Sequence, residues 1–194
     1  ELRTLTGYNH SVMTTVAISP DGKTAVSGSW DKTLKIWDLL SRTEPRTLTD
    51  RTGHIEAVAI APDGKTAVSA SSCILKIWDI DSCTSLRTLS GHNNATQAVA
   101  IAPDGLIAVS GSWDNTLKIW DLLNGDELIT LTGHTDSVFG VAIAPDGLQA
   151  VSASSDTTLK VWDLLNGNEL KILTGHTKLV QAVAIAPDGL IAVS

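Results

Sequence analysis

Apolar residues in this chain come in short runs separated by polar turns, and no stretch sustains the three-to-four-residue spacing of a helix. Residues 133–174 show the pattern clearly. Val141-Ala142-Ile143-Ala144 reads as a first strand, and the following Pro145-Asp146-Gly147 is turn chemistry, proline presetting φ and glycine accepting a positive one. Ala150-Val151-Ser152 predicts a second strand and Leu159-Lys160-Val161-Trp162 a third, rich in β-branched and aromatic residues. Asn166-Gly167 signals a two-residue hairpin, and Glu169–Leu173 alternates as a fourth strand.

This unit recurs. The aspartate of Pro-Asp-Gly stands at 21, 63, 104, 146 and 188, with spacings of 42, 41, 42 and 42. Trp-Asp pairs begin at Trp37, Trp78, Trp120 and Trp162, and Gly-His pairs at Gly91, Gly133 and Gly175. Residues 91–132 and 133–174 are identical at about two-thirds of positions, so one supersecondary unit has been copied. Four antiparallel strands in about 42 residues cannot bury both faces alone. Sheets stacked radially bury one another, which predicts an all-β propeller arrangement.

The Gly-His, Pro-Asp-Gly and Leu-Lys-Ile-Trp-Asp elements, repeated in register, resemble the WD40 repeat family over essentially the whole chain. The fold expected is therefore all-β: a WD40-type β-propeller segment with four full four-stranded blades plus partial blades at both ends. Residues 1–6 read as the last strand of a preceding blade. Blade 1 spans 7–49, blade 2 50–90, blade 3 91–132, blade 4 133–174, and half of blade 5 175–194. The strand count does not close a ring of about seven such blades. A larger propeller, or a second copy of the chain, is expected to supply the rest.

The resemblance also implies a buried tetrad in each blade, made of a histidine, a strand serine, a turn aspartate and the Trp-Asp tryptophan. Here the sets are His92, Ser110, Asp114, Trp120 and His134, Ser152, Asp156, Trp162, with Ser27, Asp31 and Trp37 in blade 1. The chemistry is self-consistent: an indole donates only, a hydroxyl can accept from it and donate to imidazole, and the other ring nitrogen can donate to carboxylate. His134, Ser152 and Asp156 could also be read as a hydrolase triad. That reading needs an exposed nucleophile and an oxyanion hole, which the repeat does not suggest. In blade 1 an extra residue before Val16 leaves Asn9 or His10 for the histidine position. Blade 2 is degenerate. Asp50-Arg51 replaces Gly-His, Gly53-His54 falls late, and the turn Ser71-Ser72-Cys73-Ile74 is one residue short and has no aspartate, although Ser69 and Trp78 remain. Drift would explain this, as would specialisation around Arg51, His54 and Cys73 on one face.

Against the near-constant scaffold, variation falls in two places. One is the loop into the first strand: Val12 and Thr14, His54 and Glu56, Ala95 and Gln97, Ser137 and Phe139, Leu179 and Gln181. The other precedes the turn aspartate, at Trp30, Trp113 and Ser155, with Ser72 nearest in blade 2. The resemblance places both on the top face around the channel, where peptides and proteins dock. Trp30 and Trp113 stand out because they are not tetrad residues. Each indole could anchor a partner or only cover a neighbouring blade.

Charge and composition narrow the partners. The 194 residues carry a net charge of -7, which argues against nucleic acid or an anionic membrane, and no apolar run reaches a membrane span, so the chain reads as soluble. Cys73 and Cys83 are the only cysteines. Their scarcity fits a reducing, cytoplasmic compartment, and their placement at opposite ends of one strand predicts free thiols. The five histidines fall in different repeats, and there is neither a phosphate loop nor a dinucleotide motif, so no metal and no cofactor is expected. The leading expectation is a non-catalytic scaffold for protein or peptide partners. A narrower one follows from resemblance to the arrays that bacterial signalling proteins carry as C-terminal sensors behind a nucleotide-binding ATPase domain. A hydrolase is the remaining alternative.

Overall fold

The computed structural model describes residues 4–8, 11–41 and 43–194. Every blade repeats one meander. Blade 1 holds β1 (Met13–Ile18), β2 (Thr24–Ser29), β3 (Thr33–Asp38) and β4 (Arg46–Thr49). Blade 2 holds β5 (Ile55–Ile60), β6 (Thr66–Ser71), β7 (Ile74–Asp79) and β8 (Thr84–Ser90). Blade 3 holds β9 (Thr96–Ile101), β10 (Ile107–Ser112), β11 (Leu117–Asp121) and β12 (Glu127–Leu131), and blade 4 holds β13 (Val138–Ile143), β14 (Gln149–Ser154), β15 (Leu159–Asp163) and β16 (Glu169–Leu173). Within each sheet the strands pair antiparallel in chain order. A two-stranded sheet of β17 (Ala184–Ile185) and β18 (Ala192–Val193) begins a fifth blade. Among the described residues there is no helix, and so none that could cross a membrane.

The first strands pack side by side: β1 on β5, β5 on β9, β9 on β13, and β13 on β17. They line the inner side of an arc. The core lies between blades rather than within them. Val26, Leu34 and Ile36 of blade 1 cluster with Ile55, Val58 and Trp78 of blade 2, and Val109, Leu117 and Ile119 of blade 3 with Val138 and Trp162 of blade 4. Each fully buried Leu or Ile in these seams contributes about 1.5–3 kcal/mol, so one blade's stability is inseparable from its neighbour's.

Several local expectations change. Thr4–Thr6, expected as part of an outer strand, carry no strand. They line one pocket with Thr43, Glu44 and Pro45 (residues 1–3 of the strand expected for a preceding blade lie outside the described residues). The Asn-Gly hairpins are longer than two residues. Five residues, 164–168, separate β15 from β16, and the Asp163 carboxylate caps the connection by accepting from Leu165 N and Asn166 N. The short turn of blade 2 is the tight one: pairing continues to Ser71 opposite Ile74, and Ser72 adopts a left-handed φ of 51° to close it. Cys73 and Cys83 lie at opposite ends of β7 as free thiols.

Candidate functional site

The tetrads of blades 3 and 4 form continuous hydrogen-bond chains. Trp162 Nε1 donates to Ser152 Oγ at 2.8 Å, His134 Nε2 stands 2.7 Å from the same oxygen, and His134 Nδ1 lies 2.6 Å from Asp156 Oδ2. Blade 3 matches at 2.8 Å for Trp120–Ser110, 2.7 Å for His92–Ser110 and 2.8 Å for His92–Asp114. Burial dominates both imidazoles and pushes their pKa below the ordinary value despite the facing aspartates, so each ring is neutral at pH 7. Nδ1–H therefore donates to the carboxylate and Nε2 accepts from serine. Burial alone would raise the aspartates. It is outweighed by hydrogen bonds, from Thr116, Asn93 N and His92 on Asp114 and from Thr158, His134 and Thr135 N on Asp156, and each carboxyl is held at about 2. Ser110 and Ser152 are fully buried, and their hydroxyls are shared between indole and imidazole. They are strand residues of β10 and β14, inside their sheets. In the fifth blade His176 Nε2 sits 2.8 Å from Ser194 Oγ, repeating the same histidine–serine spacing.

Blade 1 fills the histidine position differently. Asn9 and His10, the expected occupants, lie outside the described residues. Tyr8 takes the place: it follows Gly7 as His92 follows Gly91, its hydroxyl donates to Ser27 O at 2.8 Å, and it lies 2.9 Å from Ser27 Oγ, which accepts from Trp37 Nε1 at 2.8 Å. The extra residue is thus accommodated after the tetrad position, not before it. Asp31 caps its own turn through Thr33 N and Thr33 Oγ1.

Blade 2 keeps only the Trp78 Nε1 to Ser69 Oγ bond at 2.9 Å from this network among the described residues. It has gained something instead. In blades 3 and 4 a strand lysine meets a glutamate, Lys118 with Glu127 at 2.7 Å and Lys160 with Glu169 at 2.5 Å. The glycine of Gly-His belongs to that arrangement, because a Cβ on Gly91 would stand 2.5 Å from Glu127 Oε2 and 3.0 Å from Trp120 Cη2. In blade 2 the glutamate position is Ser85, opposite Trp78. The freed space admits a side chain at position 50, and the buried Asp50 pairs with Lys76 at 2.9 Å. The carboxylate has moved from the fourth strand to the connection that enters the blade, while the ion pair is kept. His54, the displaced histidine, turns instead to blade 1, where Nδ1–H donates to the carbonyl oxygen of Trp30.

The two variable regions meet at one end of the arc. Trp30 N donates to Val12 O at 3.0 Å, Trp113 N to Ala95 O at 2.9 Å and Ser155 N to Ser137 O at 2.9 Å. Thr14, Glu56, Gln97 and Phe139, expected in loops, lie within the first strands. The register slips by one residue at each, between Met13 and Thr15, Ile55 and Ala57, Thr96 and Ala98, and Val138 and Gly140. Thr14, Glu56, Gln97 and Phe139 are thus bulge residues on the inner strands, where bulges re-aim side chains, while Val12, His54, Ala95 and Ser137 lie just before those strands. Leu179 and Gln181, exposed, precede the short β17. Trp30 is 47% and Trp113 44% exposed, yet neither indole stands alone. Trp30 lies 5.5 Å from the His54 ring and Trp113 6.3 Å, edge-on, from Phe139. Each pair spans two blades, so both indoles cover a neighbouring blade while staying about half exposed. The bulges left no signal in propensity; only comparison between repeats, by marking the variable positions, pointed to them.

Family comparison converges on this architecture. The model of the WD domain, G-beta repeat, matches residues 1–38, 43–79, 83–121 and 125–163, and the chain belongs to that family. It is 63% identical over 38 residues to small ribosomal subunit protein RACK1 of Caenorhabditis elegans, covering 20% of this chain and 11% of that protein. Cross-pathway control WD-repeat protein 2 of Flammulina velutipes is 60% identical over 37 residues, covering 19% and 11%, and the RACK1 protein of Dictyostelium discoideum 48% over 44 residues, covering 23% and 13%. The chain thus spans about a tenth of the length of these curated relatives, one blade's worth in each.

Proposed function

We propose that this chain is a non-catalytic scaffold that receives peptide or protein partners on the rim formed by its inner-strand bulges and the adjoining turns. The observation that carries the reading is the coincidence of variation with geometry. The residues that differ between otherwise copied repeats are hydrogen-bonded neighbours on one end of the arc, and the half-exposed Trp30–His54 and Trp113–Phe139 pairs stand among them. Rigid, partly exposed indoles offer large contact area at small entropic cost. Burial of Ser110 and Ser152 inside complete networks supports a structural rather than hydrolytic role for the serine–histidine–aspartate sets. Family membership and partial likeness to RACK1-type proteins support the interaction role. Scarce cysteine, free in the structure, supports a cytoplasmic setting.

The apolar outer side of β1 supports completion by further blades or a second copy. Val16 there is 58% exposed, whereas Val58, its counterpart in blade 2, is 8%. The test of the rim is affinity capture with the intact protein against a Trp30→Ala, Trp113→Ala double variant, with thermal unfolding in parallel. The reading expects lost capture and an unchanged transition. Retained capture, or lost stability with unchanged affinity, overturns it.

A further inference from the structure

At the end opposite the rim, the first-to-second and third-to-fourth strand turns of adjacent blades come together at each seam. The same repeat positions recur there, so the seams can be compared side chain by side chain. Between blades 1 and 2 the positions hold Arg46, Lys65 and Asp81, with Arg46 Nη1 donating to Asp81 O at 2.9 Å. Between blades 2 and 3 they hold Arg87, Leu106 and Leu123. Between blades 3 and 4 they hold Ile129, Leu148 and Leu165, and Ile107 and Leu128 complete the lining of a groove of about 340 Å³. This seam is lined by aliphatic side chains and a glycine alone. Leu148 is 62% and Leu165 79% exposed. Leu128 is the residue bulged out between Ile119–Ile129 and Trp120–Glu127, which turns it to the surface.

Aliphatic side chains held out on stiff turns have no folding role at this end, since Lys65 and Asp81 serve the same turns in blade 2. Contiguous exposed apolar surface rimmed by polar groups marks a contact site. Here the rim is acidic. Asp121 and Asp163, which end β11 and β15, and Asp126 and Asp146 in the adjoining turns neighbour its lining residues in sequence, and none of the lining residues is cationic. Backbone N–H groups, from Asn124 foremost on Asp121 and from Leu165 foremost on Asp163, hold these two carboxyls below their ordinary pKa and so ionised. Arg87, which acts on Asp121, belongs to the preceding seam, and Lys171, at the position of Ile129, to the following one. Apolar floor and anionic rim are complementary to a segment presenting Leu-like side chains on one face and Lys or Arg beside them. A second copy, with the same net charge of -7, would bring like charge to the rim, and so would an anionic lipid surface.

We propose that the groove between blades 3 and 4 is a second docking site, distinct from the rim, for a basic amphipathic segment of a protein partner.

The probe is a fluorescein-labelled amphipathic Leu/Lys peptide titrated with the protein by anisotropy. Two variants replace groove residues with those that the same positions already carry elsewhere in this chain, which protects folding. Ile129→Arg copies Arg87, and the double variant Leu148→Lys, Leu165→Asp copies Lys65 and Asp81 without changing net charge. Saturable binding is expected, weakened at least about tenfold by either variant and by raised salt, and unchanged by Trp30→Ala, Trp113→Ala. Circular dichroism confirms that the variants are folded. Equal binding of a Leu/Glu peptide, full affinity in the charge-neutral double variant, loss of binding in the tryptophan variant, or no binding by the unaltered protein each overturns the proposal. So does flotation with anionic vesicles that depends on Leu148 and Leu165.

Discussion

Replacing Ser152 with alanine removes one oxygen and strands two partners. Trp162 Nε1 loses its acceptor at 2.8 Å and His134 Nε2 its donor at 2.7 Å, in a site where the serine is wholly buried and water cannot substitute. Each unsatisfied buried group costs about 1–3 kcal/mol, so the loss for Ser152→Ala is about 3–4 kcal/mol. The equivalent Ser69→Ala in blade 2 strands Trp78 Nε1 alone and costs about 1–2 kcal/mol on the same scale. Ser27→Ala falls near the lower figure, because the Tyr8 hydroxyl keeps the carbonyl of residue 27 as acceptor. The assay is urea unfolding of the three variants, followed by tryptophan fluorescence and repeated by thermal scan. For a chain of 194 residues, each kcal/mol shifts Tm by about 2–4 °C, so Ser152→Ala is expected to melt about 10 °C low and Ser69→Ala about 4 °C low. A Ser69→Ala loss equal to or larger than that of Ser152→Ala would refute the reasoning, since the cost would then lie in packing shared by all blades and not in the network.

Three further outcomes follow. Asp50→Ala leaves Lys76 without its buried partner and is expected to cost about 3 kcal/mol, whereas Asp50→Gly combined with Ser85→Glu rebuilds the pair of blade 3 and recovers most of it in urea titration. Stability should fall with acid in two stages: neutral buried His92 and His134 favour the fold fully above about 6.5 and less as pH drops below it, and Asp114 and Asp156, held at about 2 against 3.8, contribute about 2 kcal/mol per blade that is lost as pH falls through that interval; a pH-independent urea midpoint between 7 and 2 would contradict both. Amide exchange should be faster in blade 2 than in blades 3 and 4, and equal protection by mass spectrometry would show that the Asp50–Lys76 pair fully replaces the missing tetrad members.

The repeat made most of the fold legible, because a copied unit prints the same turns and the same buried positions at a fixed period. Pro-Asp-Gly, Trp-Asp and the alternating strands located the elements of blades 3 and 4 within a few residues, and the order histidine, serine, aspartate, tryptophan already implied its chain of donors and acceptors. Variation between copies marked the rim before any coordinates did. What stayed illegible depends on register and on neighbours in space. A one-residue slip at Thr14, Glu56, Gln97 and Phe139 leaves no trace in propensity, yet it makes each of them a bulge residue on its first strand. The replacement of histidine by Tyr8 is visible only when Gly7 is laid on Gly91, and the extra residue that follows conceals it.

By itself, then, the sequence determined the blade: its four strands, its turn chemistry, its buried network and its acidic, cysteine-poor character, all set by interactions within about 42 residues. Tertiary structure decided what crosses between blades. It set Trp30 against His54 and Trp113 against Phe139 and graded the seams from charged to aliphatic, and within blade 2 it brought Asp50 to Lys76 once Ser85 made room. These are contacts between residues that strand pairing or stacking brings together, and a periodic pattern fixes each position's face without specifying which partner meets it.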